Sequence, residues 1–430
     1  MKLKVLLALF LVMVYAQGVY CENIILIGID TLRPDHMSLY GYKNETTPNL
    51  DSFSQDATVF LNATSPSSWT LPSFMSWFTS LYPSQHKVTN KYQVINGKEL
   101  KTSVLKEFNP EVVTLAEALQ RNGYRTAGFT GDSALGHEFG FGDGFQEYFD
   151  KINFGKFTTT FNMALDWIER NKNSKFFVFV HGYDMHGMSK LPEEFNAARF
   201  MKVKYKGRFK GAQEEYLKLR EYSINNTDFS LSKDEIQFWQ AWYDEKIYQM
   251  DRAFAEFIQK IKGLDILDKT IVVIASDHGN EFYEHKKIDH GYSLYEELIH
   301  VPLIIKFPRK EGKRILAQVR TIDIMPTILD ILGIKADQKL KSQMQGVSLL
   351  PLLNGEELNL DAYSETDFLM NFFKRSLKTY DGWKLILSLD TNERELYNLN
   401  TDPKESVNLY EKEPRIAYEL EQKLFRFMGY

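Results

Sequence analysis

Three apolar runs that each end on a polar, chemistry-bearing residue constrain the fold of this chain more than any other feature. Asn23 to Ile29 ends at Asp30, Phe176 to Val180 ends at His181, and Ile271 to Ala275 ends at Ser276-Asp277-His278. Val301 to Phe307 is a fourth run. Continuous apolarity without alternation marks strands buried on both faces. Between the runs lie helical patterns at Val113 to Arg121 with its Gly123 stop, Thr158 to Glu169, and Asp234 to Lys262. Alternating strands and helices predict an α/β fold, a mostly parallel sheet flanked by helices on both sides. In such sheets ligands bind beyond the carboxyl ends of the strands. Asp30, His181 and Asp277 are therefore expected to converge on one site.

The chain of 430 residues is long enough for a large core and more than one domain. Residues 1–18 read as a secretory signal: Lys2 and Lys4 open it, Val5 to Tyr15 is its apolar stretch, and Ala16-Gln17-Gly18 its small-residue exit. That stretch falls short of the roughly 20 residues a membrane span needs, so no stable span is expected after cleavage, and a secreted or periplasmic protein is. Losing Lys2 and Lys4 moves the formal charge from −5 to about −7, which gives no electrostatic pull toward nucleic acid. Cys21 is the only cysteine, which excludes an internal disulfide and a thiolate metal cage. Nothing in the sequence bears on oligomeric state.

Ser67-Ser68-Trp69-Thr70-Leu71-Pro72-Ser73-Phe74, continuing to Leu81-Tyr82-Pro83, resembles the signature of the sulfatase family within the alkaline phosphatase superfamily. The C-terminal stretch Glu395-Leu396-Tyr397-Asn398-Leu399-Asn400-Thr401-Asp402-Pro403 resembles the small C-terminal subdomain of the same family. The resemblance implies an alkaline-phosphatase-like catalytic domain over 19–350 and a small α+β subdomain over 351–430. Two short strands are expected in that subdomain, Tyr380 to Leu387 and Glu395 to Leu399, with a closing amphipathic helix from Arg415 to Met428. In the family the first motif position holds a Cys or Ser that is oxidised to formylglycine. Here it is Thr70, which cannot be converted, and Phe74 stands where the family has Arg. No formylglycine is expected.

The resemblance further implies a divalent metal held by Asp30, Thr70, Asp277 and His278. Thr31 stands where sulfatases usually supply a second acid, and His278 where many have Asn. An imidazole favours Zn or Mn, with Ca as the alternative. Nucleophile-on-metal arrangements of this kind resemble lipoteichoic acid synthases and phosphoethanolamine transferases. His186 and His290 are implied catalytic residues, His290 lying where the family has a Lys. Asp184, His186 and His290 form an alternative second metal set. His86 matches a family position that is either a substrate contact or structural. His285 is a weaker candidate, and His36 and His300 read as packing or capping residues.

Met201 to Lys210 carries Lys202, Lys204, Lys206, Arg208 and Lys210, either a solvated edge or a strip steering an anionic substrate. Asn44-Glu45-Thr46, Asn62-Ala63-Thr64 and Asn225-Asn226-Thr227 match the glycosylation pattern.

These residues together predict a secreted metal-dependent ester hydrolase in which Thr70 forms a covalent intermediate. A Thr-sulfate lacks the elimination route open to a formylglycine hydrate, whereas a Thr-phosphate can be cleared by a second in-line displacement. Phosphate or phosphonate esters are thus favoured, with a sulfuric ester hydrolase, or a non-catalytic binding protein, as alternatives. Glycan, lipid head group and cell-wall polymer all remain open as the alcohol portion, and so does transfer in place of hydrolysis.

Overall fold

In the computed structural model of the protein, described over residues 23–95, 99–187, 199–201, 205–225, 227–308 and 311–429, the first apolar run is the central strand of a nine-stranded sheet. The expected signal at 1–18 and Cys21 lie outside the described residues, as do Lys202, Lys204 and Asn226. The sheet consists of β1 (Asn23–Ile29), β2 (Thr58–Thr64), β3 (Arg125–Phe129), β4 (Glu147–Phe149), β5 (Phe176–Gly182), β6 (Thr270–Ser276), β7 (His300–Lys306), β8 (Lys313–Ile315) and β9 (Val319–Arg320). Its order is β8-β2-β7-β6-β1-β5-β3-β4, with β9 also on β2. β1 pairs in parallel with both β5 and β6, and every residue of these three strands is buried.

The faces divide as period-two geometry requires. Ile24 and Leu26 enter one apolar cluster, with Leu71, Phe74 and Phe78 of α1 (Thr70–Thr79) and Leu115 and Leu119 of α2 (Leu115–Arg121). Ile25, Ile27 and Ile29 enter another, with Phe157 and Phe161 of α3 (Phe157–Asn171), Tyr216 of α4 (Gln213–Ile224) and Trp239 and Trp242 of α5 (Lys233–Gly263). The expected sandwich of helices about a mostly parallel sheet is therefore present. One expected run departs from the rest: β7 lies antiparallel to both of its neighbours, β2 and β6. The strands β2, β3 and β4 carry no unbroken apolar run, since Asn62 interrupts one and Arg125 opens another, and so escaped that signal.

The C-terminal sheet has four antiparallel strands rather than the two expected: β10 (Ala362–Phe368), β11 (Phe372–Lys378), β12 (Trp383–Ser388) and β13 (Arg394–Asn398). Charges in β10 and β11 disguise the first pair, yet they are neutralised across the ladder. Arg375 pairs with Glu365 at 3.2 Å and with Asp367 at 2.7 Å. The helix α6 (Pro414–Met428) covers this sheet through Ala417, Leu420 and Leu424. β10 is tied to the loop that leads into α1, because Glu365 N–H donates to Pro66 O at 2.9 Å and Ser364 Oγ to Ser65 O at 2.6 Å.

Phe74, at the position of the missing Arg, lies wholly buried across Gly28 of β1. A Cβ at Gly28 would stand 2.5 Å from Phe74 Cε1. Gly28→Ala should therefore destabilise the protein by about 1–3 kcal/mol, read as a lowered midpoint of urea unfolding. Adding Phe74→Leu should recover part of that loss, and unchanged midpoints would show that the ring does not set this contact.

Candidate active site

Adjacent parallel strands put Asp30 and Asp277 side by side, since Ile29 of β1 pairs with Ser276 of β6 and each acid is the next residue. Ser276 Oγ, which accepts from Leu32 N–H at 2.8 Å, ties the two strand exits together. Thr31 takes the left-handed conformation at φ 56° and aims its N–H at Asp277 Oδ1, 3.1 Å away. Ser73 Oγ on α1 donates to Asp277 O at 2.7 Å, and this fixes the helix against the strand exit.

Thr70 is the first residue of α1, and Trp69, not Thr70, holds the cap position. Thr70 therefore lies inside the helix rather than capping it. Its Oγ1 lies 3.0 Å from Asp30 Oδ2 and 3.3 Å from His278 Nε2. His278 Nδ1 sits 2.8 Å from Gly279 O. Nδ1 thus carries the proton, and Nε2 turns its lone pair to the cluster. His278 Nε2 is also 3.3 Å from Asp277 Oδ2 and 3.9 Å from Asp30 Oδ2.

The donor atoms of Asp30, Asp277 and His278 all lie within 4.8 Å of one another. Asp30 Oδ1 and Asp277 Oδ2 are buried without hydrogen-bond partners. Burial, and then the charge of Asp277, holds the Asp30 carboxyl well above its ordinary value, while burial pushes Asp277 up to about 8. Two such carboxylates ionise together only beside a cation. Two orphan oxygens and an imidazole lone pair fit a divalent ion, with Thr70 Oγ1 within reach as a further ligand. The position of α1 adds the positive end of a helix dipole at the hydroxyl, which favours negative charge there.

His186 and His290 join this cluster, with ring centroids 5.1 Å apart, and His290 lies 4.3 Å from His278. Together with Thr70 they line a cavity of about 360 Å3. Asp184 does not join them. Its Oδ2 accepts from Phe157 N–H at 2.8 Å, at the start of α3, and burial raises the carboxyl to about 6. Among the described residues, the Asp184, His186 and His290 set is not one of the groups whose donor atoms converge.

His181 is also absent from the cluster, because β5 continues to Gly182 and its ring packs against Phe74 at 5.1 Å. The third strand end contributes His186, from the following loop, instead. His86 is spent on packing: Nδ1 accepts from Val88 N–H at 3.1 Å, so Nε2 carries the proton toward Pro72 O at 3.2 Å. His36 pairs with Asp244 at 2.6 Å and His300 lies 3.0 Å from Leu61 O, both in structural roles as expected. His285 stacks on Tyr295 with centroids 3.5 Å apart and faces Glu297 and Glu405, away from Thr70. The described part of the basic strip is an exposed edge, where Arg208 is paired with Glu235 at 2.8 Å.

Two residues were missed from sequence. Asp289, wholly buried at φ 85°, pairs with His290 Nδ1, and Arg220 of α4 holds Asp289 at 2.5 Å. Burial would raise the Asp289 carboxyl, but His290 and Arg220 hold it well below the usual carboxylate range. The available signal was a second Asp-His-Gly tripeptide, Asp289-His290-Gly291 after Asp277-His278-Gly279.

A family model described as Sulfatase matches residues 22–334, and one described as N-sulphoglucosamine sulphohydrolase, C-terminal, matches 283–428. Human arylsulfatase K is 30% identical over 290 residues, 65% of this chain and 48% of that protein. An N-acetylglucosamine-6-O-sulfatase of Bacteroides thetaiotaomicron is 25% identical over 91% of this chain and 83% of its own length. The chain spans about half or less of the mammalian relatives named arylsulfatase K, 39% of the mouse protein and 48% of the human one. Among solved structures, a phosphonate monoester hydrolase of Agrobacterium radiobacter superposes with a TM-score of 0.73 at 18% identity, covering 95% of each chain. A structure solved with its substrate D-glucosamine-2-N,6-O-disulfate gives 0.72 at 21% identity, covering 95% of this chain and 97% of that one.

The buried His86 generates a pH prediction. Burial lowers its pKa from 6.5 to about 3, so between these values the unfolded chain binds the proton that the folded chain refuses. Stability is then full above pH 6.5 and falls as pH drops toward 3. The contribution is up to about 1.4 kcal/mol per pH unit. Urea unfolding between pH 7 and pH 4.5 should show a steeper loss in the wild type than in His86→Asn. Equal slopes would show that His86 is not held neutral.

Proposed function

Because the chain belongs to the sulfatase family, we propose that it is a metal-dependent ester hydrolase with Thr70 as nucleophile and a phosphate or phosphonate ester as preferred substrate. The observation that carries this reading is the Thr70 hydroxyl, 3.0 Å from Asp30 Oδ2 and 3.3 Å from His278 Nε2 at a helix N-terminus. A divalent cation on Asp30, Asp277 and His278, Zn or Mn before Ca, supplies Lewis acidity to the hydroxyl and to the ester oxygens.

Thr70 Oγ1 forms the bond to phosphorus as the bond to the alcohol oxygen breaks. Its proton passes to Asp30 Oδ2, and the departing oxygen takes a proton from His186. Burial, the largest influence, holds His186 well below its ordinary value, so the negative charge of the bound substrate is what makes it a donor. His290, steadied by Asp289, faces the anionic oxygens. A water then displaces Thr70 from phosphorus, gives its proton to His186, and Asp30 returns the first proton to Thr70. Both half-reactions are displacements at phosphorus.

The second reading is a sulfate ester, favoured by the relatives named arylsulfatase K and N-acetylglucosamine-6-O-sulfatase. It requires a second attack at sulfur, since a Thr-sulfate cannot collapse to an aldehyde. Residues 1–18 are proposed to be a cleaved secretory signal, which would leave a secreted or periplasmic protein with a catalytic domain over 19–350 and a small subdomain over 351–430. Among the described residues no helix is long and apolar enough to cross a membrane.

Protein purified without chelator should contain about one equivalent of Zn or Mn, and Asp277→Ala should lose it. Tightly bound Ca alone would overturn the ligand assignment. On a panel of aryl sulfate, phosphate, phosphodiester and phosphonate esters, Thr70→Ala should fold normally and lose at least about 10³-fold in kcat. Thr70→Ser should keep part of the activity. Full activity in Thr70→Ala would eliminate the covalent mechanism. N-terminal sequencing of the exported protein should begin at residue 19.

A further inference from the structure

The cavity above Thr70 is walled by apolar side chains that the reaction itself does not use. Trp69, Phe154 and Phe368 line it, with Leu369, Met370 and Tyr92 at its mouth. Tyr92, Leu369 and Met370 are 54%, 50% and 41% exposed, although each is large and apolar. Beyond the reacting cluster and the Asp289-bound Arg220, the polar groups of the lining are Asn90, Lys91, Ser133, the hydroxyls of Tyr92 and Tyr183, and the Trp69 indole N–H. Asn90 Nδ2 is already committed to Asp367 O at 2.7 Å.

The backbone is strained to present this wall. Phe154, Leu369 and Met370, together with Ser133, stand at φ 54°, 55°, 53° and 65°. Leu369 and Met370 occupy the turn between β10 and β11, where Gly or Asn would adopt that conformation at little cost. Local preference is overridden to set two aliphatic side chains beside the cavity.

The apolar surface continues outward. Tyr92 opens a hairpin, Tyr92–Ile95 with Glu99–Thr102, in which Val94 pairs with Leu100. Tyr92 and Val94 share one face, and Val94 and Leu100 are 51% and 63% exposed. An apolar track thus runs from the cavity mouth along the hairpin.

We infer that the alcohol portion of the ester is an extended apolar group, seated between Trp69, Phe154 and Phe368 and leaving past Met370 and Tyr92. The inference rests on the ester-hydrolase reading for the position of the reacting atom. A sugar would set most of its hydroxyls against the ring faces of Trp69, Phe154 and Phe368 and the aliphatic Leu369 and Met370, and those left unpaired disfavour it. An alkyl chain gains from each methylene buried.

The test is calorimetric titration of metal-loaded protein with methylphosphonate, benzylphosphonate, octylphosphonate and glucose 6-phosphate, so that it does not depend on turnover. Octylphosphonate should bind at least about tenfold more tightly than methylphosphonate or glucose 6-phosphate, with a negative heat-capacity change. The double variant Leu369→Asp, Met370→Asp should cut the octyl-to-methyl ratio about tenfold or more. Its fold should survive, because both positions are exposed and Asp tolerates positive φ better than Leu or Met. Glucose 6-phosphate binding as tightly as octylphosphonate, or an unchanged ratio in the double variant, would overturn the inference. Octylphosphonate binding no better than benzylphosphonate would overturn the track along the hairpin. Octyl preference in a protein that turns over none of its esters would sink the catalytic reading and leave this one standing.

Discussion

Asp30 and Asp277 are two carboxylates held together inside the protein, and the arrangement around them follows from that repulsion. β1 and β6 are neighbours in parallel register, so their exits cannot be moved apart without breaking the centre of the sheet. Backbone N–H groups of Thr31 and His278 aimed at Asp277 Oδ1 offset part of the charge, at 3.1 and 2.9 Å. They leave two oxygens unanswered. A divalent cation would answer them, and it would need a neutral imidazole, which the Gly279 carbonyl secures by holding the His278 proton on Nδ1. The Thr70 hydroxyl is placed by α1, whose Ser73 grips the backbone of Asp277. One electrostatic problem at the strand ends therefore positions the two carboxylates, the imidazole and the hydroxyl together.

The replacement of the motif's Arg by Phe74 has a physical counterpart one turn further along α1. An Arg there would be a charge to satisfy within a fully buried layer, whereas Phe74 packs on Gly28, Trp77 and Phe179. This turns the closing position of the motif from a polar anchor into part of the core. Thr70 and Phe74 stand one turn apart on the same helix, so both departures from the motif fall on the same short element. What orients Thr70 here is packing beneath the helix and hydrogen bonding at its first residue.

Much of the fold was legible in the sequence because the central strands are buried on both faces and so need no alternation to be recognised. Asp30 and Asp277 could be read for the same reason: a polar residue that ends a fully apolar run has few other uses. His181 was not legible, because an apolar run identifies a strand but not its last residue. Here β5 runs on to Gly182 and turns the imidazole into the core. Asp289 and Arg220 were equally hidden, since they lie 69 positions apart in the chain and meet only through tertiary packing. The charged strands β10 and β11 were overlooked since their ion pairs form only across the ladder. Sequence patterns reveal groups that a single element positions, and they miss pairs that two distant elements create.

Strain is distributed around this site in a way that separates its two tasks. Thr31 and Asp289 hold positive φ beneath the cluster, where they aim an N–H at Asp277 and a carboxylate at His290. Ser133, Phe154, Leu369 and Met370 hold it around the cavity, where they contribute surface instead of charge. Each such residue costs on the order of 1–3 kcal/mol, against a total stability of about 5–15 kcal/mol for a typical domain. A cost of that size at the rim would be relieved by Gly or Asn at Leu369 and Met370 without disturbing Asp30, Thr70 or His278. The rim side chains are therefore separable from the polar cluster beneath them. Their strain is thus a local cost of the surface they set around the cavity.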